Sequence, residues 1–131
     1  MPHLQFEISK KVDIKNKKNF IRKVKEVFSQ IMQTGSDHIA ISLRENSRHS
    51  IELGRVSKND DICLINLDIR KGRSKEQKRC LVKEFILLVN KNFDIKKENQ
   101  YITITEHKGS DFNLFEKSLE AWKKNDKPLD K

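Results

Sequence analysis

Apolar positions along this chain form two helical patterns that share one register. Positions 24, 27, 28 and 32 are apolar, and so are the four positions that follow them by 61 residues. The spacing i, i+3, i+4 and i+8 predicts an amphipathic helix with one buried face in each half. Strand-like segments flank both helices. The predicted strand, helix and strand span 3–9, 17–33 and 38–44 in the first half, and 62–69, 74–92 and 100–106 in the second.

The strand segments repeat with the same spacing. The run IAISLRE, which ends at Glu45, aligns with YITITE, which ends at Glu106. A strand, a crossover helix and a second strand in one sheet form a parallel, right-handed unit. Two such units predict an α+β fold, with a four-stranded mixed sheet and two helices on one face. The other face should carry apolar residues, as in Ile62–Ile65, and an oligomeric partner is expected to cover it.

We expect a single domain over residues 1–131, because this length suffices for one core. The predicted parts are repeat one (about 2–45), a connector (about 46–61), repeat two (about 62–106) and a C-terminal segment (107–131). The connector has little periodicity, and a short hairpin or edge strand is expected near 50–56. The C-terminal segment should form a short helix capped by Ser110 or Asp111, followed by a loose polar tail.

Charge and cysteine content narrow the class of protein only in part. Lys and Arg number 28 against 19 Asp and Glu, a net charge of +9 that suits either a nucleic-acid binder or a protein for anionic small molecules. Cys63 and Cys80 lack metal-ligand spacing and are expected to be reduced thiols in a cytoplasmic protein. No apolar run approaches the roughly 20 residues of a membrane span, and no signal-peptide pattern is present, so no membrane association is expected.

The N-terminus carries the first candidate chemistry. Pro2 begins the first predicted strand, and removal of Met1 would give it a free secondary amine. Such an amine titrates near neutral pH and can act as a general base or a general acid. A retained Met1 would turn the same nitrogen into an amide without basicity.

A basic turn carries the second candidate chemistry. The run Arg70-Lys71-Gly72-Arg73 immediately precedes Ser74, which is predicted to cap the second helix with Gln77 as its reciprocal partner. Helix N-termini favour anions, and an arginine binds a carboxylate through two hydrogen bonds. The turn is therefore a candidate anion site, and a solvated basic turn is the alternative.

These features resemble the tautomerase superfamily, whose members are built from one or two strand-helix-strand units and use an N-terminal proline. The segment KGRSKEQK, from Lys71, resembles the EGRSDEQK of 4-oxalocrotonate tautomerase, and ITEHKGSDF resembles its ITEMAKGHF. Here the proline and the basic turn lie in different repeats. This arrangement is similar to the fused two-unit members, notably malonate semialdehyde decarboxylase and cis-3-chloroacrylic acid dehalogenase. The resemblance implies a homotrimer and no metal or organic cofactor.

The resemblance also implies roles for individual residues. Pro2 would be the catalytic amine, and Arg73 would hold and polarise a substrate carboxylate or carbonyl. The dehalogenase pattern REGRS selects Arg70 as the second cation, whereas the decarboxylase pattern RPRS selects Lys71, and both stay open. Asp37 aligns with an active-site aspartate of the decarboxylase; an acidic turn residue is the alternative.

The remaining implied residues concern the substrate pocket. Phe112 falls at the apolar wall position and Asn113 beside it. Tyr101 stands where the tautomerase has its second substrate arginine, which removes one anchor for dicarboxylates. Dehalogenation is disfavoured, because the dehalogenase's histidine falls at Phe28 and Glu116 lies two residues past its glutamate. The first repeat has Val12 where the second has Arg73, and the second repeat has Cys63 where the first has Pro2, so one active site per chain is expected.

Taken together, the sequence predicts a keto-enol tautomerase for small 2-oxo acids such as phenylpyruvate, an isomerase in which Pro2 transfers the proton. A decarboxylase or hydratase of the malonate semialdehyde type is the first alternative. A non-enzymatic basic module that holds nucleic acid is an alternative of another class, but no row of exposed aromatic residues supports it. We therefore expect a small anionic carboxylate as substrate and no nucleic-acid partner.

Overall fold

The computed structural model describes residues 2–120, and it contains both long helices and the four strands predicted to flank them. Their boundaries lie within three residues of the predicted ones. The elements are β1 (His3–Ile8), α1 (Ile14–Met32), β2 (Ala40–Glu45), β3 (Cys63–Arg70), α2 (Lys75–Phe93) and β4 (Gln100–His107). The fold is thus the predicted α+β arrangement of two strand-helix-strand units.

The four strands form one mixed sheet in the order β2-β1-β3-β4. Strands β1 and β2 are parallel, as are β3 and β4, whereas β1 and β3 meet antiparallel at the centre. His3 pairs with Asp68, and Arg70 pairs with His107. The start of β1 therefore lies at the same end of the sheet as the ends of β3 and β4.

Side-chain caps set the beginning of both helices. The Asp13 carboxylate accepts the Asn16 N–H at 2.7 Å, which explains why α1 begins three residues before its predicted start. Ser74 and Gln77 form the predicted capping box at the start of α2. Neither helix is long and apolar enough to cross a membrane, in the part of the chain that the structure describes.

The core lies between the helices and one face of the sheet. Phe6 of β1 contacts Phe20 of α1 and Phe85 of α2 edge to face, with ring centroids 5.0 and 5.6 Å apart. All three side chains are buried. Cys63 is also buried in this core, and burial raises the pKa of its thiol. Both cysteines are free, as predicted.

The other face of the sheet is polar, which corrects the expectation of an apolar surface there. Strand residues alternate, so the face carries polar side chains such as Gln5, Asn66, Asp68 and Thr103, which hydrogen-bond to one another. The apolar run at Ile62–Ile65 misled the prediction, because Cys63 and Ile65 belong to the core whereas Leu64 lies on the open face.

The connector contains no strand near 50–56, contrary to the prediction. It forms a 3-10 turn at Arg48–Ser50 and further turns. The Arg48 guanidinium donates to the carbonyl oxygens of Ile51 at 2.9 Å, Ser57 at 3.2 Å and Asp60 at 2.8 Å. These carbonyl groups are therefore satisfied by one side chain rather than by a neighbouring strand.

The prediction of a C-terminal helix is also wrong within the described residues. A 3-10 turn at Gly109–Asp111 is followed by a tight hairpin, in which the Leu119 N–H donates to the Phe112 carbonyl at 2.9 Å. The apolar contact between Phe112 and Leu119 closes this hairpin. Because the two residues pair across a turn, their spacing does not define a helical face. The expected loose tail falls on 121–131, outside the described residues.

Candidate functional site

A cavity of about 440 Å³ opens at the end of the sheet where β1 begins and β3 and β4 end. Its walls come from the start of β1, the turn before β2, the ends of β3 and β4, and the C-terminal hairpin. The lining residues are Pro2, His3, His38, Ala40, Asp68, His107, Asp111, Phe112, Asn113, Leu114 and Leu119. The predicted residues Pro2, Phe112 and Asn113 are thus brought together.

Pro2 is held firmly at the wall of this cavity. It is buried, and its carbonyl oxygen accepts the Ala40 N–H at 3.0 Å, which extends the β1–β2 pairing to the first described residue. The proline ring fixes the backbone angle at this position. The group predicted to carry the amine therefore has a defined place at the cavity.

The C-terminal hairpin supplies the apolar side of the cavity. The Phe112 ring meets the His107 ring edge to face, with centroids 5.6 Å apart, while Leu119 packs against Phe112. Asn113 is exposed, and its amide contacts the Ser110 carbonyl at 3.4 Å. The wall position predicted for Phe112 is thus occupied by an aromatic ring that also fixes a histidine.

Sequence reasoning missed the histidines of the cavity. Three of the four histidines in the chain, His3, His38 and His107, line it. His49 lies in the connector, away from the cavity. Each of the three lies at or near the end of a predicted strand, and this position could have indicated them. The sheet register places those strand ends together.

Asp68 is the second residue that sequence reasoning missed. One of its oxygens, Oδ1, lies 2.9 Å from the His107 Nε2, and the other, Oδ2, accepts from the amides of Gln5 at 3.2 Å and Asn66 at 3.1 Å. The Thr103 hydroxyl in turn donates to the Asn66 amide oxygen at 3.0 Å. Side chains from β1, β3 and β4 therefore hold the Asp68 carboxylate in one orientation.

The basic turn lies next to the cavity rather than in its lining. Arg73 is buried, and this burial, together with the nearby charge of Arg70, lowers the pKa of its guanidinium. Gly72 adopts a φ of 112°, a conformation that suits glycine. The turn thus concentrates two arginines at the N-terminal end of α2.

Arg70 and Lys71 differ in their surroundings. The Arg70 guanidinium lies against Gly109, where an added side-chain carbon would be 2.7 Å from its Nε, and it donates to the Glu120 carbonyl at 3.4 Å. Lys71 is exposed, although its backbone N–H donates to the His107 carbonyl at 2.8 Å. Arg70 is therefore the more enclosed of the two candidate cations.

Two predicted residues lie apart from the cavity lining. Asp37 is exposed in the turn before β2, although the next residue, His38, does line the cavity. Tyr101 pairs with Leu64 near the start of β4, which is four residues, or roughly 13 Å of strand, from Asp68. Neither residue is part of the cavity lining within a single chain.

The cavity carries imidazole and carboxylate groups, but these do not form a metal site. No group of three or more His, Cys, Asp or Glu residues within 2–120 is arranged to hold a metal ion. The imidazoles and carboxylates of the lining, together with a freed Pro2 amine, can support proton transfer.

Comparisons with known proteins bear on the fold and the family. A family model described as tautomerase enzyme matches residues 50–114. No curated protein matches the chain significantly in sequence.

Solved structures share the fold over most of their length. A fused 4-OT, R7, described as a wild-type asymmetric trimer, superposes with a TM-score of 0.76 at 19% identity, covering 91% of this chain and 97% of that one. A macrophage migration inhibitory factor-like protein from Entamoeba histolytica gives 0.75 at 15%, covering 89% and 97%. N1, a member of the cis-3-chloroacrylic acid dehalogenase family, gives 0.72 at 15%, covering 88% and 82%.

Identities this low establish the fold alone, and none of them singles out the malonate semialdehyde decarboxylase type. The family model covers slightly less than half of the chain, including the basic turn and the start of the hairpin. The chain is thus similar to the tautomerase family over residues 50–114, and it shares its fold with the solved structures named above.

Proposed function

We propose that the chain is a keto-enol tautomerase for small 2-oxo acids such as phenylpyruvate, and that Pro2 transfers the proton after removal of Met1. The observation that carries the proposal is the position of Pro2. It lies at the wall of a cavity of about 440 Å³, at the strand end of a tautomerase-superfamily fold. A secondary amine at this place meets the reacting carbon of a small enol that enters the cavity.

The surroundings of Pro2 suit proton transfer to and from carbon. The side chains of Phe112 and Leu119 form an apolar wall, which reduces access of water. An apolar wall disfavours the charged form of an amine, so it favours a Pro2 nitrogen that is free to accept a proton at neutral pH. Pro2 then acts as the base in enolisation and, once protonated, as the acid in ketonisation.

The basic turn is the proposed anchor for the substrate carboxylate. Arg73 is buried beside Arg70 at the N-terminal end of α2, so a carboxylate placed there meets two guanidinium groups and the positive end of the helix. Arg70 is the preferred second cation, because it is more enclosed than Lys71. Phe112 and Asn113 then flank the substrate at the hairpin.

The decarboxylase or hydratase alternative is less well supported. It assigned a role to Asp37, which is exposed and does not line the cavity, whereas Asp68 and Asp111 do line it. A semialdehyde substrate is therefore the second one to test. The binding-module alternative depends on the net charge of +9, and it predicts an affinity for nucleic acid that falls steeply with salt.

We further propose a homotrimer of single-domain chains in the cytoplasm. The R7 fused 4-OT is described as a trimer and shares the fold, which supports a trimer here by analogy. The two free cysteines suit a reducing compartment. Size-exclusion chromatography with light scattering tests the assembly directly.

Conversion of phenylpyruvate enol to the keto form tests the function. Wild type, with loss of Met1 verified by intact mass, is compared with Pro2→Ala and Arg73→Ala. We expect both variants to lose at least about tenfold in kcat/KM, because a positioned acid-base group contributes 10²–10⁴-fold. Arg55→Ala, which removes an exposed arginine of the connector, is the matched control and should stay active.

Two outcomes would contradict the proposal. One is wild type that carries a free Pro2 and does not accelerate the conversion. The other is a Pro2→Ala variant that is as active as wild type.

A further inference from the structure

We infer that His107, oriented by Asp68, is a second proton-transfer group of the cavity, which exchanges the proton on the substrate oxygen while Pro2 exchanges the one on carbon. The inference rests on the proposed tautomerase function and adds a residue to it. Keto-enol conversion moves one proton at carbon and another at oxygen. The cavity contains a candidate group for each.

The contact with Asp68 determines which nitrogen of His107 carries the proton. An ionised carboxylate only accepts hydrogen bonds, and Asp68 accepts from the amides of Gln5 and Asn66 as well as from the His107 Nε2 at 2.9 Å. The Nε2 must therefore carry the hydrogen, which leaves a lone pair on Nδ1 in the neutral ring. The nearest acidic atom to Nδ1, the Asp111 Oδ2, is 3.8 Å away, beyond hydrogen-bond length.

The surroundings hold the ring still. Thr103 donates to the Asn66 oxygen, which turns the Asn66 amide nitrogen towards Asp68. On its other side, His107 meets the Phe112 ring edge to face. A base whose orientation is fixed by a carboxylate and by packing is the arrangement that proton transfer in catalysis requires.

The other end of the sheet offers an internal reference for this pair. Glu7 and Asn46 precede Asp68 and His107 by 61 residues each, and the Asn46 amide donates to the Glu7 carboxylate at 3.2 Å. The repeat therefore keeps a carboxylate contact at both ends, and the partner of the carboxylate is an imidazole at one end and an amide at the other. An amide satisfies the carboxylate and cannot exchange a proton near neutral pH, so the contact alone does not require a histidine.

The proton balance closes without an oxidant, a reductant or a cofactor. In ketonisation, the enol O–H proton moves to the His107 Nδ1 as the C=O bond forms. The electron pair of the C=C bond takes a proton from the protonated Pro2 amine, and a C–H bond results. The His107 imidazolium, stabilised by Asp68, then loses its proton to water, and Pro2 regains one from water. Enolisation is the reverse.

His107→Gln tests the inference, because a glutamine amide nitrogen reaches the place of Nε2 and cannot accept a proton. We expect kcat for phenylpyruvate conversion to fall by about 10²-fold, with KM within about twofold. Asp68→Asn should also lower kcat, because it removes the group that sets the tautomer. The matched controls are His49→Gln, a histidine outside the cavity, and Glu7→Gln, the equivalent carboxylate at the other end, and both should leave kcat unchanged.

Two further readouts separate catalysis from structure. Added imidazole should restore part of the activity of His107→Ala and none of that of Pro2→Ala, and a purely structural role predicts no rescue. Nitrogen-15 NMR of wild type should show His107 protonated at Nε2 and unprotonated at Nδ1 in the neutral ring. This assignment is made on wild type and does not depend on activity, so it tests the geometry even if the variants fold poorly.

The outcomes distinguish this inference from the proposed function. If His107→Gln is as active as wild type while Pro2→Ala is inactive, the tautomerase proposal stands and the role of His107 is overturned. A proton on Nδ1 of the neutral wild-type ring overturns it as well. If wild type with a free Pro2 does not convert phenylpyruvate enol, both proposals fail.

Discussion

The two ends of the sheet share a scaffold and differ in chemistry. The helices begin at caps 61 residues apart, Asp13 and Ser74, and both end at left-handed residues, Gln33 with φ 53° and Asp94 with φ 56°. Yet one end has a cavity next to Pro2, whereas Cys63, the equivalent of Pro2, is buried in the core at the other. The repeated pattern thus sets the scaffold, and single side chains decide which end can do chemistry.

An ion pair shows the same contrast. Lys17 binds Glu45 at 3.0 Å in the first repeat, and Lys78 binds Glu106 at 3.1 Å in the second. Glu45 also accepts the Val12 backbone N–H at 2.7 Å, so it fixes the loop that leads into α1. In the second repeat Arg73 takes the place of Val12 and belongs to the basic turn. The first loop is fixed by the hydrogen bond to Glu45, and the second contains the two arginines.

The largest effect on stability is expected where equivalent core residues differ in size. Phe85→Ala should reduce the free energy of unfolding by about 3–5 kcal/mol, because it empties the place of a buried aromatic ring. Val24→Ala, at the equivalent buried position of α1, removes fewer carbon atoms and should cost less. Urea denaturation of both variants measures the difference. Equal losses in the free energy of unfolding would contradict the way in which the structure packs Phe85 and Val24 into one core.

The next effect concerns Glu45 and depends on pH. The Val12 N–H and the Lys17 ammonium lower the pKa of Glu45 below its ordinary value of 4.5. A carboxylate with a lowered pKa in the folded state stabilises the protein above its unfolded pKa, and this stabilisation is lost as pH falls through the folded pKa. Glu45→Gln should therefore reduce the free energy of unfolding at pH 7 by about 1–3 kcal/mol, and the difference from wild type should shrink below about pH 4.5.

Glu106→Gln is the matched control for this prediction. Its partner Lys78 forms a partly exposed ion pair, which contributes about 0–1 kcal/mol. Thermal unfolding from pH 3 to pH 7 compares the two variants. A Glu106→Gln variant as destabilised as Glu45→Gln would contradict the special role of the Val12 hydrogen bond.

The smallest effect is expected at the helix caps. Asp13→Ala and Ser74→Ala should each cost about 1 kcal/mol, because each removes the acceptor for a backbone N–H in the first turn. Ser74 adds a capping box with Gln77, so its loss should be the larger of the two. Denaturant titration at fixed pH checks the order. The reverse order would show that the reciprocal Gln77 contact contributes little.

Predictions from the sequence succeeded where the signal was periodic and failed where it was not. The register of Phe28 and Val89 located both helices, and Ser74 with Gln77 marked a helix start. The prediction of a strand near 50–56 was wrong because the Arg48 side chain donates hydrogen bonds to carbonyl groups at three separate positions, which no local pattern reveals. The prediction of a C-terminal helix was wrong because Phe112 and Leu119 contact each other across a hairpin.

The candidate site was predicted in part, for a similar reason. Pro2 was found from its place after Met1 and Phe112 from its likeness to a known family, and both line the cavity. Asp68 and His107 were missed, because each is an ordinary strand residue until the sheet register sets them side by side. Asp37 and Tyr101 match family positions in the sequence and nevertheless lie outside the cavity lining of the single chain.

The sequence by itself determined the tandem strand-helix-strand architecture, since hydrophobic spacing and caps act within a few residues of each other. It also determined that a proline follows Met1 and that a basic turn precedes the second helix. Only the tertiary structure decided that the open face is polar and that Asp68 orients His107 at the Pro2 cavity. Those features depend on which strand ends meet, and strand pairing joins residues that are far apart along the chain.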